Sequence, residues 1–345
     1  MTDKPSLHIL FAHVGDQKPF GCSYIRLIQP LTHLHNERAF DVAWGVSPTD
    51  ADIVIIERTW GPNTTLKQVM ELVSGVRRRG ARIIFTLDDN LLDLKAITTA
   101  QKMYMRYLAR EADGIIVSTE PLRQRMMRLN PVVVTVPNQL DERLFFADLA
   151  PLKASHSDQL TIGYMGTPTH ENDFRLIFQA LRAVLRRHPG RLRFQLLGGL
   201  GNSPARKLLN DLPVDILKPP VEHVAYPNFV NWMRTNLHWD LAIAPLEDNY
   251  FNRFKSDLKF LDYSALGFPG IYSRMPVYTP TVKHLETGYL AENTPDAWVD
   301  ALEFMIANPK ARQQMAQNAQ AYVRSERTLA QRAIDWRAAI ENIKR

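Results

Sequence analysis

Short apolar runs rich in Ile and Val recur along this chain, and they are unbroken rather than alternating. The first half carries LHILFAHV (7–14), ADIVIIE (51–57), ARIIFTLDD (81–89), DGIIVST (113–119) and PVVVTVPN (131–138). An alternating strand buries one face, whereas a run without polar interruption buries both, as in parallel sheets covered by helices. Amphipathic stretches separate the runs; TTLKQVMELVSGVRRRG, which closes on Gly80, is one. Strand, helix and strand in repetition give a parallel sheet. From 139 to 159 the pattern lapses into QLDERLFFADLAPLKASHSDQ, which reads as an interdomain connection. It restarts with LTIGYMG (160–166), LRFQLLGG (192–199), VDILKP (214–219), DLAIAPL (240–246) and GFPGIYS (267–273), and a polar helical tail follows.

Two doubly wound α/β halves joined by a linker account for this order. Residues 1–150 form an N-terminal Rossmann-like domain, 151–325 a C-terminal one, and 326–345 a C-terminal helix with the option of packing back on the first. Open α/β sheets take ligands beyond the carboxyl ends of their strands, so two such domains facing each other would line a central cleft. With 345 residues, 45% of them hydrophobic, the chain can bury a core in each half. Cys22 is the single cysteine, which excludes an intrachain disulfide and makes a reducing compartment the default. The stretch MTDKPSLHILFAHVGDQ lacks a charged region before its short apolar run, so it reads as a strand and not as a signal peptide. No run reaches the roughly 18 apolar residues of a membrane span, and a cytoplasmic protein is expected. The net charge of +6 is uneven, with Arg clustered at Arg77–Arg79, Arg123–Arg128 and Arg182–Arg193. These clusters suit solvated helix faces, or peripheral contact with an anionic surface such as the inner membrane leaflet. No nucleic-acid motif accompanies them.

One stretch, KSDLKFLDYSALGFPGI (255–271), places a carboxylate inside an apolar pattern. Ser256 is suited to cap a helix, Asp257 to its positive end, and Gly267 with Pro269 to its stop. At about 100° per residue, Leu258, Leu261 and Ala265 share a face and Asp262 falls at its edge. A carboxylate there needs a donor, or desolvation costs on the order of several kcal/mol. The donor is either a backbone or Arg group of the domain, or a pair of ligand hydroxyls held while the helix end and Lys255 face an anion. A nucleoside diphosphate offers both hydroxyls and anion.

In GTPTH (166–170), Gly166 lets backbone approach a ligand, and Thr167, Thr169 and His170 offer donors to a phosphate. A plain strand-to-helix turn needs the same residue types. In GDQKPFGCSYIR (15–26), Gly21, Ser23 and Arg26 are suited to the same part from the first domain. The triplet DAD at Asp50–Asp52 precedes a strand, and HLH at His33–His35 lacks further ligands at zinc spacing, so no metal site is expected. GGLGNS (198–203) is neither a dinucleotide fingerprint nor a P-loop.

The pieces VPNQLDERLF, IGYMGTPTHENDF, KSDLKFLDYSALGFPGI, HLETGYLAENTPDAW and ARQQMAQNAQAYV follow one another in an order that spans nearly the whole chain. That order resembles the two-domain nucleotide-sugar glycosyltransferases of the GT-B fold, above all the large retaining family that builds bacterial polysaccharides. The resemblance implies transfer of a sugar from a nucleotide sugar to a glycan or lipid-linked acceptor in cell-surface polysaccharide assembly. It implies no cofactor, the nucleotide sugar being a substrate, and no metal, since Lys, Arg and a helix end can serve the diphosphate.

The family's Glu, seven residues and second Glu, aligned on DYSALGFPG, put Asp262 at the second Glu, which holds the ribose hydroxyls. The first falls on Phe254, which cannot hydrogen-bond a sugar. Lys255 and Arg253 flank that position and suit a diphosphate leaving group. The implied donor-binding set is Gly166, Thr167, His170, Arg253, Lys255, Ser256 and Asp262. In TLDDN (86–90), Asp88 stands at the His of a family His-Asp pair, and Asp89 follows. Either the two carboxylates cap a turn, or one takes the acceptor hydroxyl's proton, adjacent like charges raising one pKa. A nucleotide-sugar epimerase of the same fold and a non-catalytic two-lobed sugar-binding protein are the alternatives.

Overall fold

The computed structural model describes residues 4–13, 17–147, 159–166, 170–198, 209 and 212–344. The chain divides into two compact units. Met1–Asp141, Phe254–Ser256 and Arg327–Arg345 make up the first, and Glu142–Arg253 with Asp257–Glu326 the second.

The sheet of the first unit is built from β1 (Ser6–Leu10), β2 (Asp41–Gly45), β3 (Ile53–Glu57), β4 (Arg82–Leu87), β5 (Gly114–Val117) and β6 (Val133–Thr135). Its order is β2-β1-β3-β4-β5-β6, with every pair parallel. The IVII run of β3 shows why the strands lack polar interruptions. Ile53 and Ile55 pack with Trp336 and Ile340 of the helix Leu329–Asn342 on one face. Val54 and Ile56 pack with Val69, Val73 and Leu108 of the helices Leu66–Arg78 and Thr99–Glu111 on the other. Each such buried side chain contributes about 1.5–3 kcal/mol. The helix Leu66–Arg78 starts at a capping box of Thr65 and Gln68 and stops before Gly80, whose φ is 78°. Phe254 belongs to this core, 8% exposed, so the position where the resemblance expects a Glu is filled by packing.

The second unit's sheet is built from β7 (Leu160–Gly166), β8 (Leu192–Gly198), β9 (Val214–Leu217), β10 (Leu241–Ala244), β11 (Gly270–Ser273) and β12 (Tyr289–Ala291). Its order is β12-β11-β10-β7-β8-β9, again all parallel. Phe174, Ile177 and Leu181 of the helix Glu171–Arg187 pack there with Trp298 and Leu302 of the helix Pro295–Ala307.

Two strands, β2 and β12, have no counterpart among the apolar runs. Both lie at sheet edges; β2 is half-buried or exposed throughout, and β12 has only three residues. The helix Leu258–Ala265 forms as the sequence predicts, but its N-cap is Asp257 and not Ser256. The Ser256 hydroxyl instead accepts from Asn138 Nδ2 at 2.7 Å. At the far end Gly267, with φ 78°, closes a Schellman turn, its N–H bonding Ser264 O and that of Phe268 bonding Tyr263 O.

In each sheet the chain leaves its first strand toward one edge and returns on the other side. The pairs β1/β3 and β7/β10 are therefore topological switch points, where open α/β sheets receive ligands. Among the described residues no helix is long and apolar enough to cross a membrane.

Candidate functional site

At the second unit's switch point the central group is Asp262. The residue is 6% exposed, and its Oδ1 is buried with no hydrogen-bond donor among the described residues. Burial pushes the carboxyl up to about 7, against the pull of Lys259. Lys259, one turn earlier, holds its Nζ 4.7 Å from the centroid of the Tyr164 ring. The same ammonium acts on Asp173, a carboxylate that sequence reasoning missed.

Asp173 is 3% exposed and fully engaged. Its Oδ2 lies 2.6 Å from His170 Nδ1, and its Oδ1 accepts from Glu247 N at 2.7 Å and Asn252 Nδ2 at 2.9 Å. Burial would raise this carboxyl, but His170 and the Glu247 N–H outweigh it and hold it below the usual range. Since Asp173 follows β7 and Glu247 follows β10, one carboxylate spans the switch point. Gly166 ends β7 where a Cβ would come within 2.9 Å of the Tyr164 ring, so only glycine keeps that approach clear.

A second carboxylate performs the same stitch in the first unit. Glu57, at the end of β3 and 2% exposed, accepts from Ala12 N at 2.8 Å and Ser23 Oγ at 2.6 Å. Burial raises its pKa, opposed by Arg58 and by those two bonds. Arg58 holds φ at 50°, in the left-handed region, and its Nε donates to Asp88 Oδ1 at 2.5 Å. Its Nη2 stands 3.5 Å from Asp89 Oδ2, and Lys255 Nζ lies 4.0 Å from Asp89 Oδ1. Arg26, 2% exposed, donates through Nη1 to Val136 O and to Asn138 Oδ1. Its guanidinium stacks 4.8 Å from the Trp336 ring, and burial lowers its pKa to about 10.

The first unit thus holds Asp88, Asp89 and Lys255 around Arg58, Ser23 on Glu57, and Arg26 with Ser256 on Asn138, with Gly21 opening the short helix that carries Ser23. The second unit gathers Gly166, His170 and Asp262. Arg253 belongs to that unit too, exposed and bonded to Asp248 at 2.7 and 3.0 Å. Thr167 and Thr169 lie outside the described residues.

The expectation that adjacent carboxylates raise one pKa fails for Asp88. Burial does push it up, but the charge and hydrogen bond of Arg58, with Arg26 behind, bring it below the ordinary value. Asp50 and Asp52 are occupied structurally, Asp50 pairing with Arg79 at 3.2 Å and Asp52 accepting from Ser6 N and Oγ. Among the described residues no cluster of three His, Cys, Asp or Glu could hold a metal ion. Desolvation pushes the thiol of the half-buried Cys22 well above its usual pKa, the opposite of an activated nucleophile.

Residues 175–338 match the family model described as glycosyl transferase-like. HepE from Anabaena, solved with UDP and glucose, superposes with a TM-score of 0.68 at 13% identity over 98% of this chain and 99% of that one. The fold is that of the GT-B glycosyltransferases. Within GT-B, sucrose-phosphate synthase from Thermosynechococcus elongatus aligns with a TM-score of 0.62 at 13% identity, over 99% of both chains. A UDP-N-acetylglucosamine 2-epimerase from Listeria monocytogenes, described as putative, gives 0.58 at 12%, over 98% of this chain and 96% of that one. No curated protein matches this chain in sequence.

Proposed function

We propose that this GT-B protein moves a sugar from a nucleotide-sugar donor to a glycan or lipid-linked acceptor, without a metal, in the assembly of cell-surface polysaccharide. The observation that carries the reading is Asp262, a buried carboxylate whose Oδ1 has no donor among the described residues. Leaving it so costs about 1–3 kcal/mol, which a vicinal pair of ligand hydroxyls would offset. A structure of HepE that holds UDP-glucose supports a donor of this class.

In the second unit Asp262 takes the ribose hydroxyls, while Gly166, Thr167 and His170 meet the diphosphate. Arg253, Lys255 and Ser256 complete the donor set. On the first unit, a cavity of about 580 Å³ lined by His13, Trp60, Asn63, Gln68, Glu71 and Arg79 suits an acceptor sugar, with an aromatic face and several hydrogen-bonding groups. Trp60 is fixed there by an N–H to Glu57 O and an indole bond to Val46 O, in a left-handed backbone of φ 48°. Asp89, which follows β4, is the carboxylate better suited to an acceptor proton, because Asp88 is committed to Arg58. Work at the cytoplasmic face of a membrane, held by the Arg-rich helix faces, fits a lipid-linked acceptor.

A screen of nucleotide sugars by thermal shift tests the donor, since ligand bound to the native state stabilises it by RT ln(1 + [L]/Kd). Donor consumption that requires an added acceptor supports transfer. Release of an altered sugar without acceptor would favour the epimerase reading, which the Listeria likeness keeps in play.

A further inference from the structure

Asp173 is oversupplied for a turn residue. The backbone N–H of Glu247 and the amide of Asn252 already satisfy Oδ1, and these two bonds suffice to hold the 247–252 loop. The remaining oxygen is spent on His170 at 2.6 Å, a charge-assisted length. Taking up Nδ1 fixes the ring's tautomer and plane, so whatever His170 does toward a ligand it does through Nε2. A buried, ionised carboxylate also favours the doubly protonated ring.

We propose that Asp173 is a positioning residue: it holds His170 as an imidazolium for the diphosphate of the donor, and with its other oxygen fixes the loop that follows β10. The inference rests on the reading of the second unit as the nucleotide-sugar binder. An independent feature of the same cluster points to a ligand. Lys259 acts electrostatically on both Asp173 and Asp262, and Asp262 Oδ1 is a buried oxygen without a donor among the described residues.

Glu171 is bound by Arg175 at 2.7 and 3.1 Å, and the Glu247 carboxylate takes Asn249 Nδ2 at 2.8 Å. Lys259, over Tyr164, acts electrostatically on Asp173, the carboxylate that meets the ring.

Asp173→Asn separates the two duties. The amide oxygen can still accept from Glu247 N and Asn252 Nδ2, but the NH2 now faces His170 Nδ1. That reverses the bond, moves the neutral ring's proton to Nε2 and removes the charge that favours the imidazolium. The probes are UDP, GDP, ADP and dTDP, each beside its nucleoside, titrated by calorimetry at pH 6 and pH 8. For the diphosphate that binds best, we expect Asp173→Asn to weaken binding about 10- to 100-fold at neutral pH, the range for a lost hydrogen bond to a charged group. The nucleoside is expected to keep its affinity. Nitrogen-15 spectra of the histidines should show His170 losing its second proton at lower pH in the variant. His170→Gln should show the same loss of diphosphate affinity with a flat pH dependence.

Equal weakening of nucleoside and diphosphate would reduce Asp173 to a loop anchor and overturn the proposal, as would an unchanged His170 titration. If the unaltered protein binds none of the four diphosphates, the donor reading of the second unit fails first. If it binds one and the variants leave that binding intact, only this inference fails.

Discussion

Lys259 lies one turn before Asp262 on the helix Leu258–Ala265, yet its ammonium sits over the Tyr164 ring and leaves Asp262 Oδ1 without a donor among the described residues. The carboxyl consequently titrates at about 7, because burial outweighs the lysine's pull.

The first prediction follows from that balance. A carboxyl at about 7 in the folded chain and about 4 in the unfolded one binds more protons when folded, so its contribution to stability falls as pH rises through that interval. At about 1.4 kcal/mol per unit, the loss reaches roughly 4 kcal/mol by pH 8. Asp262→Asn should therefore melt higher than the unaltered protein at pH 8 and close to it at pH 4, while losing nucleotide-sugar affinity at least about tenfold. Melting curves at the two pH values check it; an unchanged difference between them would assign the titration to another group.

Arg58 and Asp88 make the second. Their side chains are 19% and 16% exposed, so removing one leaves the other largely desolvated. Arg58→Ala should destabilise by about 3 kcal/mol. Arg58→Gly should cost about 1 kcal/mol less, because glycine relieves the left-handed backbone that alanine must keep. Asp88 titrates below its ordinary value when folded, so its stabilisation is present at neutral pH and fades as pH falls below the carboxylate range. In Arg58→Gln the acid-side fade should shrink. Urea midpoints at pH 7 and pH 3.5 measure both effects.

What could be read in advance follows from where the information lies. The central strands were legible because Ile53 to Ile56 are all buried, and burial on both faces leaves an uninterrupted run. β2 and β12 were not, since β2 is half-buried or exposed throughout and β12 has only three residues. Asp262 stood out as a carboxylate in an apolar pattern, and Lys259 at three residues before it was a readable signal that went unused. Glu57 and Asp173 offered less. Each stitches two loops across a switch point, and which loops meet depends on strand order, which no local pattern encodes. The cue for Asp173 was its spacing of three from His170.

The third prediction concerns Lys255, which lies 4.0 Å from Asp89 in the first unit. If it stabilises the leaving diphosphate, Lys255→Ala should lower kcat by about 10²- to 10³-fold with little change in melting temperature. Near-normal turnover in the folded variant would remove it from the donor set.

Metal independence is the fourth. In the second unit a diphosphate can be met by His170 and a helix end, and Asp50 and Asp52 are already engaged by Arg79 and Ser6. Transfer assayed in excess EDTA should match transfer in magnesium or manganese. Loss with chelator and recovery with either metal would require a metal at the diphosphate.

The last prediction separates Asp88 from Asp89. A general base must be able to take up a proton near working pH, and its oxygen must be available to the acceptor hydroxyl. Asp88 is poorly suited on both counts, with Oδ1 at 2.5 Å from Arg58 Nε and a pKa held below the ordinary value. Asp89 has looser contacts, 3.5 Å to Arg58 and 4.0 Å to Lys255, and its side chain is 25% exposed. Asp89→Asn should then cut turnover by about 10²-fold or more while leaving donor affinity and melting temperature unchanged. Asp88→Asn should lower both turnover and stability, because it leaves Arg58 buried without its anion, and turnover should recover in part where a second change restores the fold. Donor affinity by calorimetry, product formation and melting temperature, measured on the same two variants, decide the matter. If Asp88→Asn alone loses turnover with its stability intact, the proton goes to Asp88 and Arg58 is there to tune it. If neither variant loses turnover, the two aspartates are turn and anchor residues, and the base lies elsewhere.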